Sequence, residues 1–122
     1  DDQTFMRKLA EAEIEVTALE FTENRIKAAL GSGQSPGALA SMTKILGTEL
    51  SQRVTELAIE AVGVYGLPEQ VDAIQPGANL PTVGPDYALT AMPRYLNTRA
   101  TTIYGGSNEV QRGIIAKMVL GL

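Results

Sequence analysis

The chain has 122 residues, 10 Lys+Arg against 14 Asp+Glu for a formal charge of −4, and no His, Cys or Trp. That length suits one domain with a modest core, and the acidic balance argues against a nucleic-acid or anionic-membrane surface. The missing residue types exclude disulfides, thiolate nucleophiles, Cys-based zinc sites, Ser-His-Asp triads and His proton shuttles, which leaves carboxylate, Lys, Tyr or a bound cofactor for any acid–base work.

The opening Asp1-Asp2-Gln3-Thr4 is no signal peptide and lacks an initiator Met, which reads as a fragment or a processed chain. Charge breaks every apolar run within a few residues, so a soluble, cytoplasmic chain is expected. From Thr4 to Leu30, Phe5, Leu9, Ala12, Val16, Leu19, Ile26 and Leu30 recur at three-and-four spacing, the stripe of a long helix. Ala10, Ile14, Phe21 and Ala28 form a second stripe nearly opposite. Two apolar faces call for two covers. These are either two sides of one core, or the chain's own bundle on one side and another domain or subunit on the other.

Gly31-Ser32-Gly33-Gln34-Ser35-Pro36 is a turn. Gly31 suits a left-handed helix cap, Ser35 an N-cap and Pro36 a first helical position. The second predicted helix runs from about Pro36 to Val62, with Leu39, Met42, Leu46, Leu50, Val54, Leu57 and Ala61 on one side. Glu49, Gln52, Arg53, Glu56 and Glu60 occupy the rest. The short connection makes these helices antiparallel neighbours.

Gly63 to Pro85 holds four of the six prolines and four glycines, and reads as a long irregular loop. It suits a binding loop, an interface strap or a packed surface loop. Asp86 to Thr102 forms a weaker third helix that Pro93 starts or kinks. Gly105-Gly106 breaks the chain again. Ser107 or Asn108 caps a last helix with Glu109 in its first turn. The expected fold is all-α, an antiparallel up-down four-helix bundle with one long Pro/Gly-rich loop, occupying residues 1–122.

The segment Ile103-Tyr104-Gly105-Gly106-Ser107-Asn108-Glu109 is the most informative. Two glycines allow close backbone approach, and the following helix N-terminus presents free N–H groups. Taken alone, such a turn is commonly just a turn. The whole run from Arg99 to Leu122 closely resembles the C-terminal signature of the FAD-dependent acyl-CoA dehydrogenases: Ile-Tyr, a variable residue, Gly-Thr/Ser-x-Glu/Gln-Ile/Val-Gln-Arg, then Ile-Ile-Ala and a basic residue. Ala58-Ile59-Glu60-Ala61-Val62-Gly63 is similar to an earlier helical passage of that family.

That resemblance implies an enzyme of three domains, of which this chain is the C-terminal helical bundle. The family removes the α and β hydrogens of an acyl-CoA thioester. A carboxylate takes the proton, flavin takes the hydride, and electrons pass to an electron-transfer flavoprotein. A homo- or hetero-tetramer, as a dimer of dimers, is the implied assembly. Carried over by position, Ser107, Asn108 and Glu109 match FAD contacts, and Gly63 and Gly66 match a turn that meets the neighbouring subunit's FAD. The chain departs there, reading Gly63-Val64-Tyr65-Gly66-Leu67.

Tyr104, Gly105 and Gly106 match the substrate side. Lys117 matches a basic substrate-side position, or is an ordinary surface Lys. Gly105 stands where many members carry the catalytic Glu, so the base is expected on a helix upstream of this chain, and no metal is implied. The long excursion looks like bacterial pimeloyl-CoA dehydrogenase large subunits. The alternative is a non-catalytic partner subunit or helical oligomerisation module of the same fold.

Overall fold

The computed structural model describes residues 2–122, and the described residues are helical with no strand. Helix α1 spans Gln3–Gly31. Asp2 caps it, its carboxylate accepting from the N–H groups of Thr4 at 2.9 Å and Phe5 at 3.1 Å. At the other end Gln34 N–H reaches Ala29 O at 2.9 Å and Gly33 N–H reaches Leu30 O at 3.0 Å. This pattern needs a left-handed residue, and Gly33 supplies it at φ +77°. The left-handed cap is therefore Gly33, with Gly31 kept inside the last turn.

Helix α2 spans Ala38–Val62. It begins two residues later than Pro36, because Gly37 takes a positive φ of 54° and breaks the register there. Ser35 does not cap it; its hydroxyl accepts from Gly37 N–H at 3.3 Å. The α1–α2 pair is antiparallel, as its ladder of ion pairs records: Lys8 with Glu60, and Arg53 with Glu11 and Glu15. Such half-exposed pairs fix register more than they stabilise, at about 0–1 kcal/mol each.

The stretch after α2 is not extended coil. It contains a 3₁₀ turn at Gly63–Gly66, the short helix α3 at Val71–Ile74 and a second 3₁₀ turn at Asp86–Ala88. Its two ends are tied together. Val83 N–H donates to Gln70 Oε1 at 2.7 Å, and the Tyr65 ring lies against the bare backbone of Gly84.

The expected third helix is split. Helix α4 spans Ala91–Thr98 and runs into a 3₁₀ turn at Arg99–Thr102. Pro93 falls in the first turn of α4, where its missing N–H has no intrahelical acceptor to lose. Helix α5 spans Asn108–Ile115 and ends in a π-helical turn, Ala116–Leu120.

Helix α2 is the hub on which α1, α4 and α5 all pack. The buried apolar set is thin: Ala12, Ile45, Leu57, Ala88 and Ala91, with no large side chain fully buried among the described residues. On α1 the first stripe turns toward α2 through Ala12, while the second stripe faces outward. Ile14 is 69% and Phe21 67% exposed. An apolar groove lined by Phe5, Leu9, Val16, Val54, Leu57 and Ala58 opens between α1 and α2. No helix of the described residues is long and apolar enough to cross a membrane.

Candidate functional site

The turn between α4 and α5 is built from left-handed glycines. Gly105 has φ +66° and Gly106 has φ +87°, a pair of conformations that residues with a Cβ adopt only at a cost. Around Gly105 nothing lies within 4 Å of where a Cβ would point, so a ligand can reach that backbone. Ile103 and Tyr104, just before it, are exposed.

Ser107 is the N-cap of α5, its hydroxyl accepting from Val110 N–H at 3.3 Å. Gln111 N–H returns to Ser107 O at 3.0 Å. The first-turn N–H groups of Asn108 and Glu109 have no intrahelical acceptor. They form the positive end of the helix dipole, a fit for a carbonyl edge or an anion. Glu109 competes for that position. Its carboxyl is held below its ordinary range by a hydrogen bond with its own backbone, then by the Ser107 hydroxyl, with Arg112 and Lys44 adding charge attraction.

Asn108 plays a different part from its neighbours. It is 2% exposed and its side chain points inward. Its Oδ1 accepts from Lys44 Nζ at 2.8 Å and from Thr48 Oγ1 at 3.1 Å, while its Nδ2 reaches Glu49 Oε1 at 3.5 Å. Glu49 also takes Arg112 at 2.6 Å. One turn further along α2, Gln52 Nε2 donates to the carbonyls of Thr98 and Arg99, each at 3.3 Å. These carbonyls lie at the end of α4, and Thr98 O also accepts from the Thr101 hydroxyl at 2.8 Å. Arg99 then lies over the Tyr95 ring at 4.4 Å and donates to Glu56 at 2.7 Å.

Lys44, Thr48 and Gln52 thus form a stripe at fourth-residue spacing on α2, and that stripe holds residues 98–108. Sequence reading passed over Lys44 and Thr48. The available signal was a polar row at i, i+4 beside the apolar row of Leu39, Leu46, Leu50 and Leu57.

The other carried-over positions lie elsewhere. Gly63 begins the 3₁₀ turn at the far end of α2, about 28 Å from Lys44 at roughly 1.5 Å of rise per residue. Gly63 is exposed with φ +57°. Gly66 is buried, and a Cβ there would strike Val62 at 2.8 Å. Within one chain, then, Gly63 and Gly66 and the group at 104–109 are two separate places. Lys117 sits exposed in the π-helical turn at the far end of α5 from Gly106.

A family model described as acyl-CoA dehydrogenase, C-terminal domain, matches residues 1–120. The acyl-CoA dehydrogenase IpdE1 of Mycobacterium tuberculosis (strain ATCC 25618 / H37Rv) is 40% identical over 83 residues, covering 67% of this chain and 18% of that protein. Its namesake in Mycolicibacterium smegmatis (strain ATCC 700084 / mc(2)155) is 35% identical over 82 residues, 67% of this chain and 17% of the relative. The acyl-CoA dehydrogenase FadE34 of Mycobacterium tuberculosis is 29% identical over 100 residues, 82% of this chain and 11% of the relative. The chain therefore spans less than a fifth of the length of these curated relatives. No solved structure matches the chain with comparable significance.

Proposed function

Because the chain belongs to the acyl-CoA dehydrogenase C-terminal domain family, we propose that it is the C-terminal domain of a flavin-dependent enzyme that desaturates an acyl-CoA thioester between its α and β carbons. The observation that carries this reading is the Gly105-Gly106-Ser107 turn at the head of α5, set inside a family match that covers nearly the whole chain. In it, α1, α2, α4 and α5 are the family's up-down bundle, the turn contributes one edge of the FAD and acyl-CoA site, and the excursion after α2 serves a neighbouring subunit.

The residues fit that role in a limited, specific way. Gly105 leaves its backbone accessible, Gly106 is exposed with the Gln111 amide beside it, and Ser107 fixes the cap of the helix N-terminus. Asn108 contributes through its backbone, since its side chain is committed to Lys44 and Thr48. Bound FAD supplies the hydride acceptor. These residues orient and exclude; none of them abstracts a proton. Gly105 carries no carboxyl, so the base belongs to a segment outside residues 2–122. Gly63 and Gly66, at the opposite end of α2, face a second flavin in a tetramer built as a dimer of dimers. Electron-transfer flavoprotein is the electron acceptor, and Tyr104 and Lys117 lie on the acyl-CoA side.

A second reading is favoured by one feature, Gly105: a partner subunit that keeps the fold without its own base. One experiment separates the two. The full-length protein is purified, its flavin measured, and acyl-CoA thioesters added without oxygen. Stoichiometric FAD that bleaches supports the enzyme. FAD that no acyl-CoA bleaches supports the partner subunit, and a protein that never retains FAD overturns both. The 122-residue chain by itself is expected to be nearly colourless.

A further inference from the structure

We propose that Lys44 is the positioning residue of the Gly105-Gly106-Ser107 turn, a single ammonium that holds both of its ends. This rests on the flavin-site reading above only for its consequence, not for the clamp itself. Lys44 Nζ donates to Thr101 O at 3.2 Å, just before the turn, and to Asn108 Oδ1 at 2.8 Å, just after it. Between those anchors, residues 103–106 are all exposed, and two of them have positive φ. The turn has little packing of its own to define its shape.

Thr48 cannot replace Lys44 in this role. Its hydroxyl has one proton and three acceptors in reach: Lys44 O and Ile45 O at 3.0 Å, and Asn108 Oδ1 at 3.1 Å. The lysine ammonium has three protons, enough for both anchors at once, and both bonds are charge-assisted. Arg112 pairs with Glu49 on the same helix contact, and neither bonds the backbone of residues 101–107; Glu49 reaches only the Asn108 side chain, at 3.5 Å.

The test compares Lys44→Met with Arg112→Gln in the full-length protein. Lys44→Met keeps the aliphatic stem and removes the donor. Loss of these two part-buried, charge-assisted bonds is expected to speed amide exchange across residues 102–108 by about five- to a hundredfold. Arg112→Gln, which deletes an ion pair on the same helix, is expected to leave those amides unchanged. In the flavin-loaded protein, Lys44→Met weakens FAD retention and changes the flavin absorption envelope, and Arg112→Gln does neither.

If Lys44→Met does not fold, wild-type protein still decides: Lys44 is expected to react with an amine-acylating reagent at least about tenfold more slowly than exposed Lys27. Equal reactivity of Lys44 and Lys27 overturns the clamp, as does equal exchange in wild type and Lys44→Met, or equal acceleration in both variants. A wild-type protein without FAD overturns the flavin reading and leaves the exchange result standing. Normal FAD binding and spectrum in Lys44→Met, with faster exchange, overturns the positioning role.

Discussion

The two flanks of α2 are finished to different degrees. Toward α5 and the end of α4, the contact is polar and its partners are inside the chain: Lys44, Thr48, Glu49 and Gln52 meet Asn108, Arg112 and the carbonyls of Thr98, Arg99 and Thr101. No buried side-chain nitrogen or oxygen lacks a partner among the described residues. Toward α1, exposed ion pairs of Lys8 and Arg53 with glutamates flank a contact whose centre is apolar and partly open, with Leu9, Val16 and Val54 half-exposed along a groove and Ile14 and Phe21 facing away from it. Hydrogen bonds are directional and expensive to leave unmade, so the polar flank specifies its own geometry. Apolar area is non-directional, and what is left uncovered drives association.

The strongest way to break this contrast is Asn108→Ala. It strips the acceptor from a part-buried ammonium and leaves Lys44 with Thr101 O alone. We expect a loss of about 3 kcal/mol in chemical unfolding, more than its lost contact area alone implies. A loss below half a kcal/mol would show that the polar flank does not define the α2–α5 contact.

On the apolar flank the expected effect moves from folding to assembly. Phe21 and Ile14 contribute nothing to the core as it stands, so Phe21→Glu leaves helix content unchanged. A fully covered Phe or Ile is worth about 1.5–3 kcal/mol, so this substitution weakens self-association by about tenfold or more in sedimentation equilibrium. Wild-type chain that sediments as a clean monomer at high concentration would remove the second face of α1 from any interface.

A third change returns to the turn. Gly106→Ala asks a Cβ residue to hold φ +87° and pushes it to 2.7 Å from Gln111 Nε2. The glutamine end can swing aside, so the backbone conformation decides, at about 1–2 kcal/mol. Thermal unfolding measures it, and Gly113→Ala, a helical position with open space around it, is the control expected to show no loss.

Much of this was legible in the residues, for reasons that differ by element. The spacing of Phe5, Ala12, Leu19 and Ile26 sufficed for α1, because an apolar period of 3.6 has one regular solution. A cap at Ser107 or Asn108 was readable because a short polar side chain before a helix has a short-range partner; the hydroxyl of Ser107 takes the role, with Val110 N–H. The cap at Gly33 was harder: Gly31, Gly33 and Gly37 all permit a positive φ, and the choice among them depends on which carbonyls of α1 remain unpaired. The third helix fragmented because Ala88 and Ala91 are pulled into the core while Gln52 claims the carbonyls at the end of α4. The burial of Asn108 was unreadable locally. Its partners lie some sixty residues away on α2, and an Asn at a helix start looks the same whether it caps, binds a ligand or pins two helices.

The smallest expected effect concerns Glu109, on the solvent side of the same helix end. Its folded-state carboxyl is held below the ordinary 4.5, chiefly through its own backbone, then through Ser107. A depressed folded pKa means that the contribution is present in full above pH 4.5 and is lost as pH falls through the lower folded value. Glu109→Gln should therefore lower the melting temperature slightly at pH 7, and the gap to wild type should close as pH falls below 4.5. A gap that stays constant across that range would assign Glu109 no role in the helix cap. A gap that widens in acid would reverse the sign of the interaction. Because the side chain is exposed, the effect is small and salt-sensitive, and it stays separate from the larger loss expected at Asn108, one residue earlier and wholly buried.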